Sequence, residues 1–181
     1  KALTLTGVSV ADKVYDGTRT ATVSGGTLAG LVGSETLGFA GTGEFTTADA
    51  GSGKGVTVTA TLADGSNGGK AANYQLDGGT TLASTATITP RPLTVGSAAI
   101  ATRAYDGTRE ATLAAGGSVS GVAGEQLTLR LDKGLFDTAD AGANKPVSGT
   151  LVLADGPGGR AANYTLSGGG TGLTGTITPR E

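Results

Sequence analysis

Cysteine, histidine, methionine and tryptophan are all absent from this sequence. Without cysteine no disulfide can support a small fold. Without histidine or cysteine, neither a Ser-His-Asp nor a Cys-His catalytic arrangement can be assembled, and a zinc site of the usual kind is excluded too. Aromatics are scarce, with 4 tyrosines and 3 phenylalanines in 181 residues. Long apolar runs are missing as well, because threonine, glycine or serine interrupts them every few residues, so membrane insertion is not expected. Charge is balanced: residues 1–90 carry 5 basic and 7 acidic side chains, residues 91–181 carry 8 and 8, and the net charge is −2. With no basic stripe, nucleic acid is not an expected partner.

What is abundant is glycine, 34 residues, well above the roughly 7% of an ordinary globular chain. The apolar 37% is mostly Ala, Val and Leu, which predicts a thin core of small side chains. The glycine-rich segments sit among strand and turn signals and lack the strand-to-helix context of a phosphate loop. No pair of carboxylates stands out for glycoside hydrolysis. The chain therefore reads as non-catalytic, with no catalytic, cofactor-binding or metal-binding residue and no cofactor.

The dominant feature is an internal duplication. Val14-Tyr15-Asp16-Gly17-Thr18-Arg19 returns as Ala104-Tyr105-Asp106-Gly107-Thr108-Arg109. Gly33-Ser34-Glu35-Thr36-Leu37 aligns with Gly124-Glu125-Gln126-Leu127 if one residue slips. Phe45-Thr46-Thr47-Ala48-Asp49-Ala50-Gly51 returns as Phe136-Asp137-Thr138-Ala139-Asp140-Ala141-Gly142. Lys54, Val56 and Leu62-Ala63-Asp64-Gly65 map to Lys145, Val147 and Leu153-Ala154-Asp155-Gly156. Ala71-Ala72-Asn73-Tyr74 maps to Ala161-Ala162-Asn163-Tyr164, and Ile88-Thr89-Pro90-Arg91 to Ile177-Thr178-Pro179-Arg180. The offset drifts by single residues between blocks, and surface loops are the expected place for those insertions and deletions. The domains are 1–90 and 91–181. Arg91-Pro92 reads as a short, stiff connector, because proline and the residue before it are held extended. The opening Lys1-Ala2-Leu3 resembles Arg91-Pro92-Leu93, and no signal peptide is visible, which suggests a piece of a longer array.

Period-two alternation predicts strands. Val56-Thr57-Val58-Thr59-Ala60-Thr61-Leu62 puts apolar residues on one face and threonine on the other, and Leu3 to Thr6, Thr85 to Thr89, Tyr74 to Leu76 and Thr128 to Leu131 follow suit. Asp-Gly and Gly-Gly pairs supply the turns between them. The expected fold is all-β: two small, Ig-like β-sandwich modules in an end-to-end array. The alternative is a β-grasp-like module with one short helix, for which Leu28 to Thr36 is the best segment, at one turn.

Turn chemistry accounts for Tyr15-Asp16-Gly17 and its twin: Asp caps its own turn and Gly takes positive φ. Tyr15, Tyr74 and Phe45, with their twins, are expected to be largely buried. An Asn-x-Thr sequon at Asn163-Tyr164-Thr165 has no counterpart at Asn73-Tyr74-Gln75, so glycosylation is not a property of the module. Asp49, Asp64 and Asp77 invite a calcium reading, but Asp77 becomes Ser167 and no Asp-x-Asp-x-Asp run exists. Lys54 with Asn73 and Glu35, and Lys145 with Asn163 and Glu125, hold the parts of a spontaneous isopeptide crosslink. Both lysines nevertheless lie in glycine-rich stretches that read as exposed loops. Arg103 in place of Lys13 argues against a specific role for Lys13.

The blocks Val14 to Thr18, Ala48 to Gly51, Asn73-Tyr74 and Ile88 to Val95 resemble the YDG/MBG-type tandem repeats of bacterial surface and secreted proteins, many of them filamentous-haemagglutinin-like adhesins. That resemblance implies an extracellular, cell-surface location and a structural stalk whose partners are neighbouring repeat modules of the same chain. Host-surface or glycan contact is expected through other regions, and the chain is expected to be a monomer. Absence of cysteine suits such a protein, since a chain threaded unfolded across an outer membrane cannot carry a disulfide-locked loop. The competing functions are a glycan- or host-protein-binding module and a self-associating biofilm module.

Overall fold

The computed structural model describes residues 1–96, 98–114, 117–168 and 172–181. The chain divides into two compact units, Lys1–Thr89 and Pro90–Glu181, and both are built from strands. In the first unit the strands are β1 (Ala2–Val10), β2 (Lys13–Val14), β3 (Thr20–Ala21), β4 (Val23–Ala29), β5 (Leu37–Phe45), β6 (Gly51–Asp64), β7 (Gln75–Leu76) and β8 (Thr81–Thr89). They form a three-stranded sheet, β4-β1-β7, and a five-stranded sheet, β2-β8-β6-β5-β3. β6 shows why the sheets pack: Val56, Val58 and Ala60 are buried while Thr57, Thr59 and Thr61 between them are exposed. Leu3 of β1 and Leu76 of β7 meet Ala60 across the sandwich, with Tyr74 closing the cluster. The all-β expectation is met. The β-grasp alternative is not realised, because among the described residues helix occurs only as three-residue 3-10 turns. Leu28 and Ala29, where the short helix was sought, belong to β4, and glycines at 30 and 33, both with positive φ, interrupt any helical hydrogen-bond ladder there.

The second unit repeats the plan with β9 (Arg91–Thr94), β10 (Arg103–Ala104), β11 (Ser118–Ser120), β12 (Gln126–Phe136), β13 (Gly142–Ala154), β14 (Tyr164–Ser167) and β15 (Thr174–Thr178). Its five-stranded sheet runs β10-β15-β13-β12-β11, and β14 pairs with β9. Ile100, Ala111, Phe136, Val147, Leu173 and Ile177 pack into one core cluster. Arg91-Pro92, expected to be a short, stiff connector, begins β9 and pairs in parallel with Tyr164 and Thr165. A proline is tolerated there because an outer strand leaves its missing N–H on the unpaired side.

The structure departs from two sequence expectations about the alignment of the copies. The Glu35 block needs no slip, because Gly33 and Ala123, at a constant offset, both take left-handed φ of 56° and 51°. The inserted residue falls inside a strand. β5 runs against β6 without interruption from Leu37↔Asp64 to Phe45↔Val56. In β12, by contrast, the register breaks between Asp132 and Leu135, so Lys133 and Gly134 oppose Gly149 alone. This is a β-bulge, which holds an extra residue without breaking the sheet on either side.

Candidate functional site

Three side-chain clusters recur in both units. The first is the Tyr-Asp-Gly loop. Asp16 Oδ1 accepts the Thr18 N–H and hydroxyl, each at 2.8 Å, and Gly17 takes φ of 79°; Asp106, Thr108 and Gly107 repeat the arrangement. Glycine is needed at this point because side chains with a Cβ rarely adopt that backbone. The loop joins the two outer strands of the five-stranded sheet. The Tyr15 N–H donates to Thr89 O at 2.9 Å beside β8, and Arg19 O accepts the Phe45 N–H at 2.7 Å beside β5. Tyr105 with Thr178, and Arg109 with Phe136, make the same two bonds. The motif is thus a strap over the end of one sheet.

Lys13 occupies the middle of this strap, which sequence reasoning missed. Its ammonium donates to Asp16 Oδ1 at 2.8 Å, Thr18 O at 2.9 Å, and Thr18 Oγ1 and Thr20 O at 3.0 Å. It also sits 5.5 Å from the centre of the Phe45 ring. Arg103 reaches the equivalent set: Asp106, the Thr108 hydroxyl and carbonyl, and Glu110 O. Replacement of Lys13 by Arg103 therefore preserves the role. The usable signal was a cation two residues before Tyr-Asp-Gly in both copies. Partial desolvation pushes the Asp16 carboxyl upward, but the bonds from Lys13 and Thr18 outweigh it and the net value lies below the usual carboxylate range. Asp106 is lowered chiefly by the Thr108 N–H and hydroxyl, with Arg103 adding to them. Tyr15 is buried as expected, but Tyr105 is 42% exposed. The bonds that define the strap run through the backbone and the Asp carboxylate, so the ring is not fixed by them.

The second cluster is a clasp of Tyr74, Glu35 and Val32. The Tyr74 hydroxyl donates to Glu35 Oε2 and accepts the Val32 N–H at 3.1 Å. Tyr164 donates to Glu125 Oε2 at 2.5 Å and accepts the Val122 N–H at 2.9 Å. The Glu35 bond, with desolvation behind it, raises the Tyr74 phenol above its ordinary value. Desolvation leads in Tyr164, with Glu125 second. The aspartates beside this clasp are occupied by the backbone. Asp64 Oδ1 accepts the Ala71 N–H at 2.8 Å and Asp155 Oδ1 the Ala161 N–H at 2.7 Å, holding the turns Ala71–Asn73 and Ala161–Asn163. Lys70 pairs with Asp64 at 2.9 Å. The calcium reading of Asp64 thus meets a carboxylate already used in turn formation. Among the described residues no cluster of His, Cys, Asp or Glu is arranged to hold a metal.

The third cluster surrounds the matched lysines. Lys54 and Lys145 lie within β6 and β13, at register shifts, and not in the loops their glycine-rich surroundings suggest. Lys54 donates to Thr47 Oγ1 at 2.6 Å, and Lys145 to Thr138 Oγ1 at 2.8 Å while pairing with Asp137 at 3.0 Å. The crosslink parts are not brought together. Tyr74, next to Asn73, packs on Ala60, and Ala60 lies six positions along β6 from Lys54. At about 3.3 Å per strand residue that is roughly 20 Å. Asn163, the residue of the sequon, is only 2% exposed.

A shallow groove of about 800 Å³ runs beside the Tyr74 clasp, lined among others by Thr59, Thr61, Gln75 and Asp77.

A family model described as YDG domain matches the chain twice, over residues 1–83 and 89–172. No curated protein and no solved structure matches it.

Proposed function

This chain belongs to the YDG domain family, and from that premise we propose that it is a non-catalytic spacer repeat of a bacterial cell-surface or secreted adhesin, projecting an adhesive region away from the cell. The observation that carries the reading is the use made of the residues the two copies share. The Tyr-Asp-Gly strap, the tyrosine clasp and the matched lysines are each engaged with neighbouring turns, strand carbonyls and threonine hydroxyls within their own unit. Side chains retained for ligand contact would point outward; these hold a sheet end, a loop and a strand in place. Repeats of this kind lengthen an array one unit at a time. Small-angle scattering of the two-unit chain at low concentration is expected to give an elongated particle, and a compact, bent pair would count against a spacer.

The competing reading, a ligand-binding module, draws on the groove beside Tyr74. Its hydroxyl and amide lining suits a sugar, but Tyr74 is only 9% exposed and offers little aromatic platform. Binding of the two-unit chain on a glycan array would favour that reading over the spacer.

A further inference from the structure

The first unit is entered and left at opposite ends of the same strands. At the entry, Lys1 O accepts the Gln75 N–H at 3.0 Å, and Leu3 packs on Ala60 and Leu76. β1 then runs nine residues, about 30 Å, to Val10. Past Ala11-Asp12, β2 lies against the exit, with Lys13↔Ile88 and Val14↔Thr89 in parallel register. β8 runs the same way. It starts beside Ala60, whose N–H donates to Thr80 O at 2.7 Å, and it ends at the strap. A pull on the two ends of the unit is therefore directed along β1 and β8, in opposite senses.

The shortest path for that load is covalent from Lys1 to Val14 and crosses to β8 only through the β2 rungs. Ladder hydrogen bonds lie across their strands, so tension along β8 strains those rungs together instead of opening them one at a time. Side chains add to the contact. Beside the Tyr15 N–H bond to Thr89 O, the Thr89 hydroxyl donates to Lys13 O at 3.3 Å and the Thr87 N–H to Asp12 Oδ1 at 2.6 Å. In the second unit β10 pairs in parallel with β15, and the Thr178 hydroxyl donates to Arg103 O at 3.3 Å. The residue that carries the rung is itself tied down. The Lys13 ammonium holds the carbonyls of Thr18 and Thr20, and the Arg103 guanidinium those of Thr108 and Glu110. β2 cannot follow β8 without breaking those bonds.

We propose that the strap and the parallel strand pair it anchors bear tension, and that their rupture in shear sets the force at which each unit unfolds. This goes beyond the spacer reading and does not depend on it, since a spacer array can be mechanically weak and a clamped unit need not be a spacer.

Single-molecule pulling tests it, and the absence of cysteine lets thiol handles be placed at chosen points. Pulled from its two ends, the chain should unfold in two events, one for each unit. Asp12→Ala with Lys13→Met removes the Thr87 rung and the cation ties, and one event should shift to lower force while the other keeps its own. Leu76→Val, in the core at the entry end, controls for stability. It should lower the urea midpoint of the first unit yet leave its force near that of the unaltered chain, because forced unfolding follows the unfolding rate. A further arm leaves the strap intact. Ser52→Cys moves the first handle to β6 beside Ile88, which loads β8 across the ladder, and the first unit should then open at lower force with the second in series as reference. The proposal is overturned by equal force from both handle positions. It is also overturned by a strap variant that keeps the unaltered force, or by a Leu76→Val chain that loses as much force as the strap variant.

Discussion

At the scale of single residues, legibility depended on how local the chemistry is. Asp16-Gly17 could be read directly, because an Asx turn and a positive φ involve only neighbouring residues. Lys13 could not, because its partners include the carbonyls of Thr18 and Thr20 and the ring of Phe45, which converge only after folding. The structure makes a prediction about the two cations. Arg103 leaves its Nε buried without a hydrogen-bond partner, an orphan that a lysine does not have. Arg103→Lys should therefore be neutral or stabilising by up to about 1 kcal/mol, despite the loss of the guanidinium fork. Urea unfolding of the variant measures this, and a loss larger than about 1 kcal/mol would show that the planar fork itself is required. Carboxylates of all three clusters set an acid limit. Asp16, Asp64, Asp106 and Asp137 all have lowered carboxyl values in the folded chain. A lowered folded value gives stability that is present above the unfolded value of about 3.9 and lost as pH falls through the folded one. The urea midpoint should be flat from about pH 5 upward and fall below about pH 4, and Asp16→Asn with Asp106→Asn should reduce that fall.

At the scale of elements, the alternation of β6 was plain in the sequence because a sheet face repeats every second residue. The bulge of β12 was not plain. A single extra residue looks the same in an alignment whether it enters a loop or a strand, and only the partner strand decides. The bulge also places Lys133, a residue with a Cβ, at φ of 52°, a left-handed position that costs about 1–2 kcal/mol outside glycine. Lys133→Gly should raise the unfolding free energy by about 0.5–1 kcal/mol, since part of that relief is lost to the greater freedom of glycine in the unfolded chain. Chemical denaturation settles the sign. The choice of sheet by the segment before Glu35 and Glu125 was equally hidden, because Leu28-Ala29 and Ser118-Val119 are both compatible with a strand.

At the scale of the molecule, the duplication was the most legible feature, since ordered matches survive single-residue drift. The account rests on each unit closing its own core: Leu3, Ala60, Tyr74 and Leu76 pack in the first, and Ile100, Phe136, Val147 and Ile177 in the second. A unit of this size has a stability of only about 0.05–0.15 kcal/mol per residue. Removing a fully buried aromatic such as Phe45 costs about 3–5 kcal/mol, a large part of that total. The most direct measurement is residue-resolved amide exchange in increasing urea for the Phe45→Ala chain. Protection should vanish early throughout residues 1–89 while Val147, Phe136 and their neighbours keep the midpoint of the unaltered chain. A common fall of both halves at one urea concentration would mean a shared core and would contradict the account.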